Sequence, residues 1–210
     1  MNLREIIENN SSGKINLSNF IIDDVFYSNI SKYIAIIKKW GIVHNIVSGK
    51  FIEDDVILSI YDSLAGASFL SLPSCVYDAG SGGGFPGMVL AIASPAVKFV
   101  LVEANRKKCS FLRMVKAQLL LKNVEIKNER IESLSDVSFI VTKAAFSPPN
   151  IGMLADVLRA GGKLAIWATE KNRSNFLDAL NLRGIKIVDE YAYEILGIKR
   201  RLILLLEKEA

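Results

Sequence analysis

The most constraining feature of this chain is Asp78-Ala79-Gly80-Ser81-Gly82-Gly83-Gly84-Phe85-Pro86-Gly87, which sets five glycines in eight positions between an apolar strand and an apolar helix. Glycine adopts positive φ readily and lets a ligand approach the main chain. A loop running from a strand end into a helix start also turns amides and the positive helix end toward a bound molecule. A tight turn alone does not need so many glycines. Asp78 is expected at the strand's carboxyl end, beneath the loop. Glu103 follows 23 residues after Gly80, at the end of the next apolar run, Phe99-Val100-Leu101-Val102. A carboxylate there can accept two hydrogen bonds from a ribose diol and repels a 2′-phosphate.

The flanking pattern is strand–helix alternation. Strands are expected at Cys75-Val76-Tyr77, 99–102, 124–127, Phe139-Ile140-Val141 and Leu164-Ala165-Ile166-Trp167. Helices are expected at 86–93, around Phe111, Leu112, Val115 and Leu119, at 150–160 with a stop at Gly161-Gly162, and at 172–181. This spacing predicts an α/β fold with a mostly parallel sheet and helices on both faces. The ending breaks the alternation. Ile185 to Tyr193 and Leu202 to Leu206, joined by a short turn around Gly197, should pair as an antiparallel hairpin. Continuous apolarity over 202–206 suits a strand covered on both faces.

Residues 1–65 read as helical. Ile30, Tyr33, Ile34, Ile37 and Trp40 recur at helical spacing up to Gly41, and a second helix starts at the acids Glu53-Asp54-Asp55. Small residues at 66–74 mark a boundary, dividing a helical extension, 1–70, from a ligand-binding domain, 71–210.

Composition narrows the function classes. With 210 residues, 50% hydrophobic and 23% charged, the chain is neither disordered, collagen-like nor a disulfide scaffold. No apolar run is long enough to span a bilayer, and the opening Met1-Asn2-Leu3-Arg4-Glu5 is too polar for a signal peptide. Cys75 and Cys109 read as reduced core thiols of a cytoplasmic protein. One His and two Cys do not build a zinc site of the usual kind. Residues 1–70 carry net charge −2 and residues 71–210 carry +6. A basic C-terminal portion permits an anionic partner such as RNA. Arg106, Lys107, Lys108, Arg113 and Lys116 would lie near the ligand crevice, where they serve either as a solvated helix face or as phosphate contacts.

Two ligands compete for the loop. Gly82-Gly83-Gly84-Phe85-Pro86-Gly87 meets the dinucleotide pattern G-x-G-x-x-G. A carboxylate under the loop suits an ammonium group better than a pyrophosphate. S-adenosylmethionine has a ribose, an adenine and an ammonium but no phosphate, and its common fold ends in an antiparallel hairpin.

The chain resembles the bacterial ribosomal small-subunit RNA guanine-N7 methyltransferases, also called the glucose-inhibited division protein B family. The resemblance is strongest at Asp78 to Gly87, above all in Phe85-Pro86-Gly87. Further similar segments are Lys39-Trp40, His44-Asn45, Tyr61-Asp62-Ser63-Leu64, Leu101-Val102-Glu103, Lys107-Lys108, Phe111-Leu112-Arg113, Lys122-Asn123-Val124, Arg130-Ile131-Glu132, Ala145-Phe146, Gly161-Gly162 and the final strand from Arg201-Leu202. It implies a class I methyltransferase fold of seven strands with a helical N-terminal extension. It implies S-adenosylmethionine as methyl donor, and a guanine of 16S RNA, naked or in the small ribosomal subunit, as acceptor. Gly80 and Phe85 would border the cofactor, and Ile131 and Glu132 would flank its adenine. Asp78, Gly82, Gly84, Glu103 and Ala144 fall to the same cofactor site; Arg106, Lys107, Lys108 and Lys143 fall to the RNA. Three positions depart from the family pattern. Ala144 replaces an Arg, Ala168-Thr169 replaces Lys-Gly, and Leu58-Ser59 replaces Arg-His.

Guanine N7 carries a lone pair and no proton, so the implied reaction needs alignment rather than a general base. Accordingly His44 reads as a contact between N-terminal helices and Trp40 as a core residue.

Overall fold

The computed structural model describes residues 2–10, 15–41, 53–195 and 199–209. Among them, seven strands form one sheet: β1 Cys75–Ala79, β2 Lys98–Val102, β3 Val124–Lys127, β4 Val137–Lys143, β5 Leu158–Ala168, β6 Ile185–Ile195 and β7 Lys199–Lys208. Their order is β3-β2-β1-β4-β5-β7-β6. Strands β1 to β5 run parallel, and β7 lies antiparallel between β5 and β6. The chain leaves β1 toward β2 on one side and returns to β4 on the other. That reversal opens a crevice beyond the carboxyl ends of β1 and β4.

The helices before the sheet are α1 Leu3–Asn10, α2 Asp24–Trp40 and α3 Glu53–Ala67. Asp23 caps α2 by accepting the Phe26 amide at 2.8 Å, and Lys38 and Lys39 sit in its negative last turn. Within the sheet region lie α4 Gly87–Ala93, α5 Arg106–Gln118, α6 Pro148–Ile151, α7 Met153–Val157 and α8 Glu170–Asn181. Asn105 caps α5 through the amides of Lys107 and Lys108.

Strand β2 shows why the strands read as continuous apolar runs. Phe99 and Leu101 join a core with Ile30, Ile60, Leu64 and Leu90 on one face. Val100 and Val102 join a second core with Ile140, Leu154, Leu164 and Phe176 on the other. The N-terminal helices therefore share a core with the sheet. Trp40 packs against its edge, while His44 and Gly197 fall outside the described residues.

Two expectations change. The run 150–160 is not one helix: α7 ends at Val157 and β5 begins at Leu158. Gly161, at φ 68°, and Gly162 lie in the irregular start of β5. A Cβ on Gly162 would come within 2.9 Å of the Val137 carbonyl oxygen, where the β4–β5 register shifts. Pairing of Leu158 with Val137 of β4 ends the helix early. Likewise Gly66 is no linker. It sits inside α3, where a Cβ would run into the Trp167 ring and Ile203.

Ile60 is fully buried between α3 and the sheet. We expect Ile60→Ala to destabilise the fold by ~2–5 kcal/mol, the range for truncating a large core aliphatic. Urea unfolding should show a lower midpoint with an unchanged slope.

Candidate functional site

A cavity of about 850 Å³ occupies the crevice. Its walls come from several strand ends: Gly80 to Gly83 after β1, Glu103 after β2, Glu129 to Glu132 after β3, and Lys143 to Phe146 at the end of β4. Residues Asp55, Leu58, Ser59 and Asp62, one face of α3, close another side together with Arg201 of β7.

The glycine loop is bare main chain held from several directions. The Gly80 and Ser81 amides donate to the Val102 carbonyl at 2.9 and 3.2 Å. Gly80, at φ 70°, has no room for a Cβ, which would collide with Ala145. Gly82, at φ 55°, faces open space, with only the Gly80 carbonyl oxygen near. The Glu103 carboxylate accepts the Gly82 amide at 2.9 Å and the Asn105 amide at 2.7 Å, which fixes it at the cavity edge. The buried Tyr33 hydroxyl donates to the Gly83 carbonyl. Burial, and then the nearby Asp78 charge, push the Tyr33 pKa up, so it remains a donor. Sequence spacing had placed Tyr33 only in a core stripe.

Most of the expected residues converge here. Gly80, Gly82, Phe85, Glu103, Ile131, Glu132 and Ala144 line the cavity. Ala144 stands at φ 55°, a left-handed conformation unusual for a residue with a Cβ. Asp78 and Gly84 are not on the cavity wall. A Cβ on Gly84 would meet Met88 and the Tyr33 hydroxyl, so it faces the core. Asp78 is fully buried under the loop; its Oδ2 accepts the Gly87 amide at 3.1 Å and its Oδ1 has no partner. Asp78 thus lies beneath the loop, as expected, and behind the cavity wall.

The basic residues separate. Lys108 lines the cavity, while Arg106 and Lys107 are exposed on the first turn of α5. Lys143 lies on the cavity wall, 2.5 Å from Asp62 Oδ2, and donates to the Ser59 carbonyl at 3.3 Å. Asp62 also accepts the Tyr193 hydroxyl at 2.6 Å, and its carbonyl accepts the Trp167 indole N–H at 3.0 Å. This polar cluster was invisible in the sequence, because its members lie on four separate elements. Among the described residues, no His/Cys/Asp/Glu group is arranged to hold a metal ion, and no helix is long and apolar enough to cross a membrane.

Burial pushes the Asp78 carboxyl up from 3.8 to about 7, against the pull of the Ser81 hydroxyl and then of the Gly87 amide. The folded state then binds the proton more tightly than the unfolded chain. Its contribution is full below pH ~4, the unfolded value, and is lost as pH rises through about 7. From pH 4 to 8 the wild type should lose on the order of a few kcal/mol relative to Asp78→Asn. Urea unfolding of both proteins across that range checks this. Parallel profiles would refute it.

A family model described as rRNA small subunit methyltransferase G matches residues 27–195. "Ribosomal RNA small subunit methyltransferase G" of Aliarcobacter butzleri is 34% identical over 143 residues, covering 68% of this chain and 72% of the relative. The protein of the same name from Syntrophomonas wolfei is 36% identical over 178 residues, covering 79% of this chain and 83% of its own. The crystal structure of M. jannaschii TYW2 in complex with AdoMet superimposes with a TM-score of 0.54 at 15% identity, over 72% of this chain and 76% of that chain. That likeness is one of fold, and the sheet order above is that of a class I S-adenosylmethionine-dependent methyltransferase. With most of its length matched, this chain belongs to the rRNA small subunit methyltransferase G family.

Proposed function

We propose that this chain transfers a methyl group from S-adenosylmethionine to N7 of a guanine in 16S ribosomal RNA, naked or in the small subunit, in the cytoplasm. The observation that carries the reading is the glycine-walled cavity with Glu103 at its edge, in a member of this family. The cavity's size lies within the ~300–1,000 Å³ usual for small-molecule sites.

The residues present fit that cofactor. Gly80 and Gly82 leave the wall free of side chains, so a ligand can rest on the backbone. Each Glu103 oxygen already accepts one amide, and each keeps a lone pair for a ribose hydroxyl. Ile131 and Glu132 flank the adenine position, and Phe85 and Ala144 border the remainder. Asp78 and Gly84 support the loop from behind. When bound, S-adenosylmethionine supplies a sulfonium methyl that the N7 lone pair takes while the carbon–sulfur pair returns to sulfur. No proton moves, so these side chains need only align the partners and exclude water, effects worth up to ~7–11 kcal/mol. Arg106, Lys107 and Lys108 offer phosphate contacts beside the cavity. In this reading residues 1–70 form a helical extension that braces the loop through Tyr33, and residues 71–210 form the methyl-transfer domain.

Gly82→Val places a β-branched side chain at positive φ in the cavity and should abolish S-adenosylmethionine binding in calorimetry. Tight binding of NAD in place of S-adenosylmethionine would end the reading. Glu103→Gln keeps an acceptor for one amide but removes the charge. Affinity should fall by ~1.5–3 kcal/mol, the worth of a charge-assisted hydrogen bond. The decisive assay is tritiated-methyl transfer to small subunits from a strain lacking the family enzyme, followed by nucleoside analysis. Label recovered as anything but N7-methylguanosine in 16S RNA would refute the assignment.

A further inference from the structure

We propose that Arg201 is a seat for an RNA phosphate beside the acceptor nucleotide, oriented by the buried carboxylate of Asp62. The inference deepens the methyl-transfer reading above and rests on it for the identity of the partner.

The argument starts from charge. Asp62 is 3% exposed, yet its carboxylate faces two cations. Lys143 Nζ lies 2.5 Å from Oδ2, and Arg201 Nε lies 3.9 Å from Oδ1. The third neighbour, Tyr193, adds no second negative charge, since burial and then the Asp62 charge raise its pKa. Within this cluster one carboxylate meets two cations; the next acid on that face of α3, Asp55, is exposed and lies seven positions, about two turns, away. Lys143 is the cation more closely engaged, held by Asp62 and the Ser59 carbonyl. Arg201 approaches Asp62 through Nε, at 3.9 Å, and a guanidinium carries four further N–H donors on its two terminal nitrogens. A fork of that kind matches two oxygens of a phosphate. With its side chain 28% exposed, Arg201 is reachable but partly desolvated, which strengthens its pull on an anion.

Position decides which anion. S-adenosylmethionine also carries a carboxylate, but the glycine loop follows β1, and Arg201 lies on β7, three places along the sheet. At ~4.8 Å per strand that separation is about 14 Å. Arg201 also stands opposite the α3 face formed by Asp55, Ser59 and Asp62, on the side of the cavity away from Glu103. With the cofactor on the Glu103 side, this side is the one left for the acceptor, and every nucleotide of RNA brings a phosphate with it. Arg201 and Lys143 together place positive charge on this side of the cavity.

The test uses the full chain, small subunits from a strain lacking the family enzyme, and S-adenosylhomocysteine to fill the cofactor site. Arg201→Ala should lower the slope of log K against log salt by about 0.7–0.9, as for one lost phosphate contact. It should raise KM for the subunit about tenfold with kcat unchanged, the pattern of a contact equal in ground and transition states. Arg201→Lys should restore most of the slope, and calorimetric affinity for S-adenosylmethionine should not move in either variant. An unchanged slope in Arg201→Ala would overturn the proposal. A loss of S-adenosylmethionine affinity would also overturn it, by assigning the anion to the cofactor. The salt slope needs no turnover. A wild type that binds subunits without methylating them would therefore defeat the methyl-transfer reading while the slope still decides the seat.

Discussion

The site depends on one contact, the Gly87 amide donating to the buried Asp78 carboxyl. A carboxyl at the end of β1 with no access to water must find a donor nearby, and the first turn of α4 provides it. The two cannot move apart without stranding the acid. Nor can residue 87 carry a Cβ, which would lie 2.5–2.8 Å from the Asp78 side chain. Strand and helix are thus clamped together, and residues 80–86 must arch over the clamp. The arch is then tied by Val102, Glu103 and Tyr33. A ligand meeting this loop meets a surface already in place, so little binding energy is lost to ordering it.

Local pattern carried much of the architecture, and for a definite reason. Strand β2 and helix α2 are each stabilised by contacts that repeat along a single element, so their period is written in consecutive residues. The glycine loop was legible because its backbone conformations exclude other residue types. What was not legible is pairing across the chain. Asp62 meets Lys143, 81 positions away, and Tyr193, 131 positions away, and no spacing rule links them. The direction of Gly84 was lost similarly: the sequence puts it in the loop, but only the packing of Tyr33, Met88 and Leu112 determines that it faces inward. At 150–160 the helix expected from sequence ends early, at Val157, because Leu158 pairs with Val137 of β4.

Charges of both signs line the cavity: Glu103, Glu129 and Glu132 stand with Lys108 and Arg130 beyond β2 and β3, while Asp55 and Asp62 of α3 stand with Lys143 of β4 and Arg201 of β7. Methyl transfer to N7 moves one positive charge from sulfur to the base. Acids at the cofactor half suit a cationic donor. In the proposed arrangement the acceptor half faces a harder requirement, because it must attract phosphate and yet tolerate a base that becomes cationic. Two bare cations would meet that requirement badly. A unit charge at ~4 Å repels another by roughly 4 kcal/mol at the effective dielectric of a protein surface. Asp62 resolves the conflict by position. It neutralises Lys143 at short range within the cavity wall and leaves Arg201, at 3.9 Å, only partly compensated. In the proposed arrangement the field that draws an RNA phosphate is thereby kept at Arg201.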